Sequence, residues 1–519
     1  MITRCGFKAF FFCSLLSLRG RLGWDFLLPP YGGGQGWGFL RVGLLAGFLS
    51  LPLWGGLGWG SRWGFLSAQQ LHRYNPNFGL SAENFCDTIS IDVEDDLILV
   101  PVQINNKVYR FCLDTGSSQG MVYANSNIPD LVPLGNIISR DANNHVDTVQ
   151  VIQLPPFTLP TNSSRLTVSG YVASLMPRHS ISDKYDAIIG FDLFNRGICA
   201  KIDKQRGLLI LTDEKKLFRA EEKVGYTLRY KLKWFVPYLY VSPFVRHTDE
   251  ALFDTGAPLF YTMSRESFDQ HLASDLANLH KNLGAGIERQ VEGRAEGHLT
   301  LGGFGLEKKD EVVFLHLDRL KWGDFAFTDL HTITTQGASK IGAKLLDFGT
   351  VIINPFRKHI TFQPYPNEVP SSGATGAFRA ATDVAAAPQR GANPSFATEG
   401  EGSGVVARPS PSGELEGGSP SLPTGEGQGG APSIRVGNKQ FSVAFVPYKG
   451  QAVVGLIWEG SPPYKAGMRQ GDVILQIDQR PINSFADFQR FGFIKGERHR
   501  FRLRDQQGME KKVECIIKE

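Results

Sequence analysis

The sequence predicts a mainly β protein made of two duplicated β lobes, a flexible linker and a small α+β end domain. Three observations carry this expectation. Short β-branched and aromatic runs, broken by turn formers, fill most of residues 84–366. The tripeptide Asp-Thr-Gly occurs twice, each time ending such a run, and similar sequence follows each copy. Residues 367–431 lose almost every large apolar side chain, and hydrophobic patterning then returns to the C-terminus.

At 519 residues the chain has room for about three domains. Its 42% hydrophobic and 20% charged content is that of a folded protein, and its 58 glycines suit turns, strands and linkers better than compact helices. A net charge of +4 is too small to argue for a nucleic-acid partner. No zinc-type Cys/His spacing, Walker loop or H-E-x-x-H is present, so neither a metal nor a cofactor is expected. The six cysteines are scattered, and Cys112 and Cys199 sit in apolar runs where a free thiol behaves as a small core hydrophobe.

Residues 1–68 read as a targeting segment. An uncharged run, Val42 to Trp59, follows Arg41 and precedes the small pair Ser67-Ala68, the layout of a secretory signal. That reading places the protein outside the cytoplasm, in the cell envelope or periplasm. The competing readings are a membrane anchor, disfavoured by the glycines, the proline and the marginal length, and a true start downstream of Met1.

The first lobe, 84–216, contains the strand-like runs ILVPVQI (98–104), VYRFCLD (108–114), VQVIQL (149–154) and LLILT (208–212). The second, 224–366, adds one convincing helix over 265–283, in which Phe268, Leu272, Leu276, Leu279 and Leu283 recur at helical spacing behind a plausible N-cap, Ser264. The lobes align. FCLDTGSSQG (111–120) matches ALFDTGAPLF (251–260), and IIGFDLFNRGICAKID (188–203) matches KIGAKLLDFGTVIIN (340–354). Gly190 pairs with Gly342, Leu193 with Leu345 and Gly197 with Gly349, the added helix absorbing the longer second interval. Residues 367–431, rich in Gly, Pro, Ser, Ala and Glu, cannot bury enough surface to order themselves and read as a flexible linker.

Two D-T-G loops, each followed by an apolar-apolar-Gly segment, resemble the lobes of aspartic peptidases over residues 84 to 365. Because one chain carries both, it resembles the single-chain bilobal arrangement with lobes of a simpler, retroviral-like kind. The resemblance implies an endopeptidase acting on polypeptides, with Asp114 and Asp254 as the catalytic pair. Two carboxylates about 3 Å apart cannot both ionise, so one shared proton lets the pair activate water and polarise the scissile carbonyl. By the same resemblance Gly116 and Gly256 permit close approach of the loops, Thr115 and Thr255 bond across the interface, and Gly190 and Gly342 complete the lobes. Ser117 follows only the first D-T-G. A hydroxyl donated to Asp114 would favour its charged form, leaving the proton mainly on Asp254.

Hairpin flaps are expected at 139–152 and, longer and richer in Gly and Glu, at 286–305. Two features depart from the family pattern. Neither flap offers a tyrosine of the pepsin-like kind, and Lys340 stands where the first half has Ile188. The alternative function is a peptide-binding adaptor whose lobes no longer cut. A serine hydrolase is not expected: Gly116 to Gly120 fits G-x-S-x-G, but Ser118 is not followed by the required helix. A trypsin-like enzyme lacks its G-D-S-G.

The end domain, 432–519, resembles the bacterial PDZ pattern through EGSPPYKAGMRQGDVILQIDQRPI (459–482). Ser461-Pro462 starts a helical turn that Gly467 closes, Gly471-Asp472 leads into a strand, and NSFADFQRF (483–491) forms a capped helix with Phe485, Phe488 and Phe491 near one face. The resemblance implies capture of peptide C-termini or exposed strands by strand addition. The G-L-G-F carboxylate loop has no clear counterpart before FSVAF (441–445).

Overall fold

A computed structural model describes residues 78–366 and 431–517, apart from the short stretches 162–164, 178–183, 280–285, 299–300, 439–440 and 493–496. The targeting segment and most of the linker therefore lie outside the described residues. The protein is mainly β, as the run pattern predicts. No helix among the described residues is long and apolar enough to cross a membrane.

Each half is organised around the same knot of three strands. In the first, the strand Lys107–Leu113 leads into the Asp114 loop and Gly120–Tyr123 leaves it. The short strand Ala187–Ile189 inserts between them, parallel to the former and antiparallel to the latter. In the second half, Lys340–Gly342 lies between His247–Asp254 and Tyr261–Ser264 with the same polarities. The sequence alignment of Gly190 with Gly342 is thus a structural equivalence.

After each knot comes a single helical turn, Asp192–Asn195 or Ala343–Asp347, and then a strand pair. These pairs join the halves. Cys199–Asp203 runs antiparallel to Gly349–Asn354, at the centre of a six-stranded sheet drawn from both halves. Every residue of Gly349–Asn354 is buried, which suits its apolar centre, Val351 to Ile353. One core fills both halves, anchored by Phe111, Phe191, Phe253, Phe268 and Trp322. Cys112 and Cys199 are buried free thiols, as their apolar settings suggest.

The added helix spans Arg265–Leu279. Phe268 is buried and Leu272 packs on the core, but Leu276 is exposed and Asp275 is buried instead. Asp275 faces inward because its carboxylate accepts the backbone N–H of Ile287 at 3.0 Å, a tertiary bond that the apolar stripe does not reveal.

The C-terminal sheet has the strand order Val443–Tyr448, Gln451–Ile457, Val473–Ile477, Arg498–Arg504, Glu510–Ile516, with Arg480–Pro481 beside the third. Ser461 caps the turn Pro462–Lys465, Ser484 caps the helix Phe485–Gln489, and Gly467 and Gly471 take positive φ, each where the sequence places them. RHRFRLR alternates exposed and buried along its strand. The first strand after the undescribed stretch, Ser433–Arg435, instead runs parallel to Ala326–Thr328 in the second half. The C-terminal sheet docks beside it. Trp458, Phe441 and Leu456 pack on Val312, Phe314 and Ile333, and the side chain of Gln470 donates to the carbonyl of Glu296 at 2.9 Å.

Candidate active site

The two Asp-Thr-Gly loops meet face to face. The Thr115 hydroxyl donates to the carbonyl of Phe253 at 2.7 Å and accepts the Thr255 N–H at 3.0 Å. The Thr255 hydroxyl donates to Leu113 at 2.6 Å and accepts the Thr115 N–H at 3.0 Å. Both threonines are fully buried. Four reciprocal bonds among groups with no access to water fix the loop positions, because breaking one strands a buried donor or acceptor.

Absent side chains at Gly116 and Gly256 make this closeness possible. A Cβ on Gly256 would lie 2.6 Å from the carboxyl carbon of Asp114, and one on Gly116 would overlap the Asp254 carboxylate. Each carboxylate therefore rests on the partner loop's glycine. Behind the loops, a Cβ on Gly190 would sit 2.6 Å from the backbone of Gln119, and one on Gly342 would strike the carbonyl of Ala257 at 2.5 Å. The N–H of the following residue closes each loop: Phe191 donates to Ser117 at 2.7 Å and Ala343 to Ala257 at 2.8 Å. Both Asp-Thr-Gly triplets, Ser117, Gly190 and Gly342 thus lie in this constellation.

The electrostatics of the pair are asymmetric, but not through Ser117 as expected. The Ser117 hydroxyl donates to the carbonyl of Gln119 at 2.7 Å and so is turned away from Asp114. Its backbone N–H, 3.2 Å from Asp114 Oδ1, and that of Gly116, at 2.9 Å, support the carboxylate instead. The decisive side chain is Lys340, whose Nζ lies 3.0 Å from Asp254 Oδ2. It extends from the position equivalent to Ile188 and reaches the carboxylate where isoleucine only packs. Burial alone would lower the pKa of Lys340, yet Asp254, and beyond it Asp114 and Glu307, hold it above its ordinary value.

Asp114 is pushed up to about 8, first by burial, then by the charge of Asp254 and a hydrogen bond shared with it, against the opposing pull of Lys340 and the Gly116 N–H. The upward push on Asp114 and the placement of the Lys340 ammonium against the other loop's carboxylate favour the proton on the Asp114 side. This reverses the assignment drawn from Ser117. A charge at a repeat position that is otherwise apolar was the visible signal of Lys340, although repeat alignment alone reads it as a packing defect.

Three further groups escape a motif search. Asp192, buried behind the first loop, accepts from Tyr171 Oη at 2.9 Å and the Leu193 N–H at 3.0 Å, and burial pushes it up to about 7. Tyr123 and Tyr185 pack edge to face near Asp114, with their ring centroids 5.6 Å apart. Cys112 is no nucleophile, because burial and then the charges of Asp114 and Asp254 push its thiol well above its usual pKa. Ser118 is followed by the strand Gly120–Tyr123 rather than a helix, which removes the serine-hydrolase geometry.

The first expected flap forms a hairpin; in the second, 291–297 pairs beyond the expected bounds with 310–315, and a small hairpin at 301–306 meets the first flap's turn. Val132–Arg140 and Val146–Gln153 pair through a turn at 141–145. Asp141 accepts the N–H of Asn143 at 2.9 Å, that of His145 at 2.8 Å and, from the second half, that of Phe304 at 2.9 Å. The Asn143 side chain donates to the carbonyl of Gly305 at 3.3 Å. Phe304, in the small hairpin 301–306, packs against the first half's cluster of Leu99, Cys112, Tyr123, Val149 and Ile188.

No family model matches the chain, and no curated protein matches it. Among solved structures, the chain is similar to basic 7S globulin from soybean at 10% identity, with 54% of this chain and 94% of that chain covered at a TM-score of 0.33. It is also similar to conglutin gamma, a basic 7S globulin from lupine seeds, at 10% identity, with 55% and 96% covered at a TM-score of 0.34. Likenesses at this level carry nothing for the function.

Proposed function

We propose that the chain is an aspartic-type endopeptidase, in which Asp114 and Asp254 activate a water for attack on a peptide carbonyl. The observation that carries this reading is the reciprocal threonine and glycine packing that holds two carboxyl groups, Asp254 buried and Asp114 half-buried, against each other. In such a pair the anionic member, here Asp254 beside Lys340, takes a proton from the water. The protonated member, here Asp114, donates to the carbonyl oxygen as the tetrahedral intermediate forms. The same proton inventory then serves collapse of the intermediate, with the roles exchanged. Lys340 acts as a positioning residue that settles which carboxyl group holds the charge.

The C-terminal sheet supports a PDZ-like role in peptide capture. Its edge strand Val443–Tyr448 has no strand on its outer side among the described residues, and Phe445 packs against Phe488 of the capped helix at 4.8 Å. An added peptide strand would pair with the outer edge of Val443–Tyr448, alongside this aromatic contact. The amides of Val436 and Gly437 are already donated to Thr328 and Asp329 of the second half. The missing G-L-G-F counterpart before FSVAF favours extended internal segments over free carboxyl termini as the captured ligand.

The second reading, a peptide-binding protein that does not cut, is favoured by two observations. The ammonium of Lys340 lies against the carboxylate that must receive the water's proton, and the flap tips are bonded together. The test is hydrolysis of an unfolded protein substrate by the full chain, by Asp114→Asn and by Asp254→Asn, with and without a statine-type inhibitor. Cleavage lost in both variants and blocked by the inhibitor supports the peptidase. Cleavage surviving in both eliminates it.

A further inference from the structure

We propose that Glu292, His316 and His331 form a binding site for a divalent ion of the zinc class, at the margin of the surface where the C-terminal domain docks. His316 and His331 are directly opposed on the antiparallel strands Asp310–Trp322 and Phe325–Thr335. Their rings stack with centroids 4.2 Å apart and planes within 14°. Both side chains point away from Leu315, Leu317 and Leu330 of the core, on the face that carries Phe314 and Ile333. Glu292 joins them from the neighbouring strand Val291–Gly297. It falls at the register shift between Val291 and Gly293, where the bulge re-aims the side chain.

One ligand atom from each of the three lies within 4.8 Å of the other two. Two imidazoles and one carboxylate are the donor set of a three-ligand zinc site that leaves the fourth position to water. It offers too few oxygens for calcium or magnesium. The Oε2 of Glu292 is 2.9 Å from Nδ1 of His331. Tetrahedral zinc with bonds of about 2.0–2.2 Å needs roughly 3.3 Å between two ligand atoms and an ion lying in both ring planes, so seating it requires this contact to open by a few tenths of an ångström and the stacked imidazoles to tilt until their lone pairs converge.

The surroundings hold the ligands in place. Nε2 of His316 donates to Asp329 Oδ1 at 2.7 Å, which leaves Nδ1 as its donor atom and supplies the carboxylate–histidine pairing that orients metal ligands. Asp329 is in turn held by Arg435 Nε at 2.7 Å. Asn438 clamps the backbone of His331 from both sides, accepting its N–H and donating to its carbonyl, each at 2.8 Å. Thus residues 433–438, which lead into the C-terminal domain, brace the strand Phe325–Thr335 that carries His331, and reach His316 through Asp329. A bound ion would stiffen that attachment. The ligands remain reachable from solvent, with side-chain exposures of 42% for His316, 18% for His331 and 21% for Glu292. Sequence spacing gave no hint, because the ligands come from three separate strands and meet only through register.

The test is competition for Zn²⁺ between the metal-free full chain and a chromogenic chelator, with Co²⁺ absorption as a report on geometry. We expect one equivalent bound by the wild type, a tetrahedral Co²⁺ spectrum, and loss of both in His316→Ala and His331→Ala. Asp329→Asn is expected to weaken binding by about 10–100-fold without abolishing it. Circular dichroism of each metal-free variant separates a lost ligand from a lost fold, and His331→Gln provides a milder substitution if alanine unfolds the hairpin. Hydrogen exchange at Val436 and Gly437 should slow on adding Zn²⁺ to the wild type but not to His331→Ala. No uptake by the wild type, or uptake unchanged in folded His316 and His331 variants, overturns the site. Uptake without slowed exchange overturns its link to docking.

Discussion

Replacing Lys340 with methionine keeps the side chain's reach and removes its charge. At 3.0 Å from Asp254 Oδ2, an ion pair at an effective dielectric of about 20 has a gross attraction of roughly 5 kcal/mol. Desolvation of the ammonium takes back part of that, and a cation at this range typically lowers a carboxyl pKa by about 1–3 units, each worth about 1.4 kcal/mol. A cation stabilises every anionic form of the pair, so it lowers both of the pair's macroscopic pKa values. Removing it must raise both. With Lys340 in place, Asp114 already stands at about 8. In Lys340→Met the alkaline limb of kcat/KM should therefore move above that value, and the acid limb should climb by a similar about 1–3 units. At low pH the variant loses activity because its pair becomes doubly protonated; at high pH it outlasts the wild type. The assay is the pH profile of a quenched-fluorescence peptide substrate, with a thermal melt to establish folding. Superimposable profiles from a folded variant would refute the reasoning. A silent wild type and a variant that cuts would assign Lys340 to inhibition and favour the peptide-binding reading.

Other consequences follow from the same geometry. Asp114 has a raised pKa in the fold, so between about pH 4 and pH 8 the native state keeps a proton that the unfolded chain has lost. Its stabilising contribution is complete below that window and declines as pH rises through it; Asp114→Asn should flatten this decline and raise Tm more at pH 8 than at pH 4, as scanning calorimetry would show. Thr115→Ala leaves the Phe253 carbonyl and the Thr255 N–H unpaired in a dry interface, a cost of about 2–5 kcal/mol in urea unfolding, while Thr115→Ser, which keeps the hydroxyl, should lose far less. Asp141→Ala removes the acceptor of the Phe304 N–H; it should speed hydrogen exchange at residues 141–145 and 302–306 and leave the melting temperature nearly unchanged, whereas unaltered exchange would show that packing of Phe304 alone holds the tips together.

The parts of the molecule that repeat were the legible parts. Asp114 and Asp254, their threonines and glycines, and Gly190 and Gly342 are each constrained by backbone approach or by buried bonding that only one residue type satisfies, so both copies retain the same letters. The capped turns at Ser461 and Ser484 were legible for a similar local reason. What escaped depends on side-chain direction at long range. Ser117 looks like a partner for Asp114, but its rotamer is captured by the nearer carbonyl of Gln119. Leu276 keeps helical spacing, yet the inward place next to it goes to Asp275, because an N–H twelve residues on needs an acceptor.

Lys340 shows where the two kinds of information meet. A lobe repeat imposes the same backbone on both copies, so a difference between aligned residues cannot be attributed to the fold and must be absorbed by side-chain contacts. At this position the first copy uses isoleucine to extend the apolar cluster under the flap, and the second uses lysine to meet a carboxylate. Two carboxylates with one proton carry one negative charge, and a single ammonium against one of them breaks an otherwise symmetric pair. The asymmetry that the proposed chemistry requires, one member protonated and one charged, would thus arise at the aligned position where the duplicated halves differ in charge beside the pair.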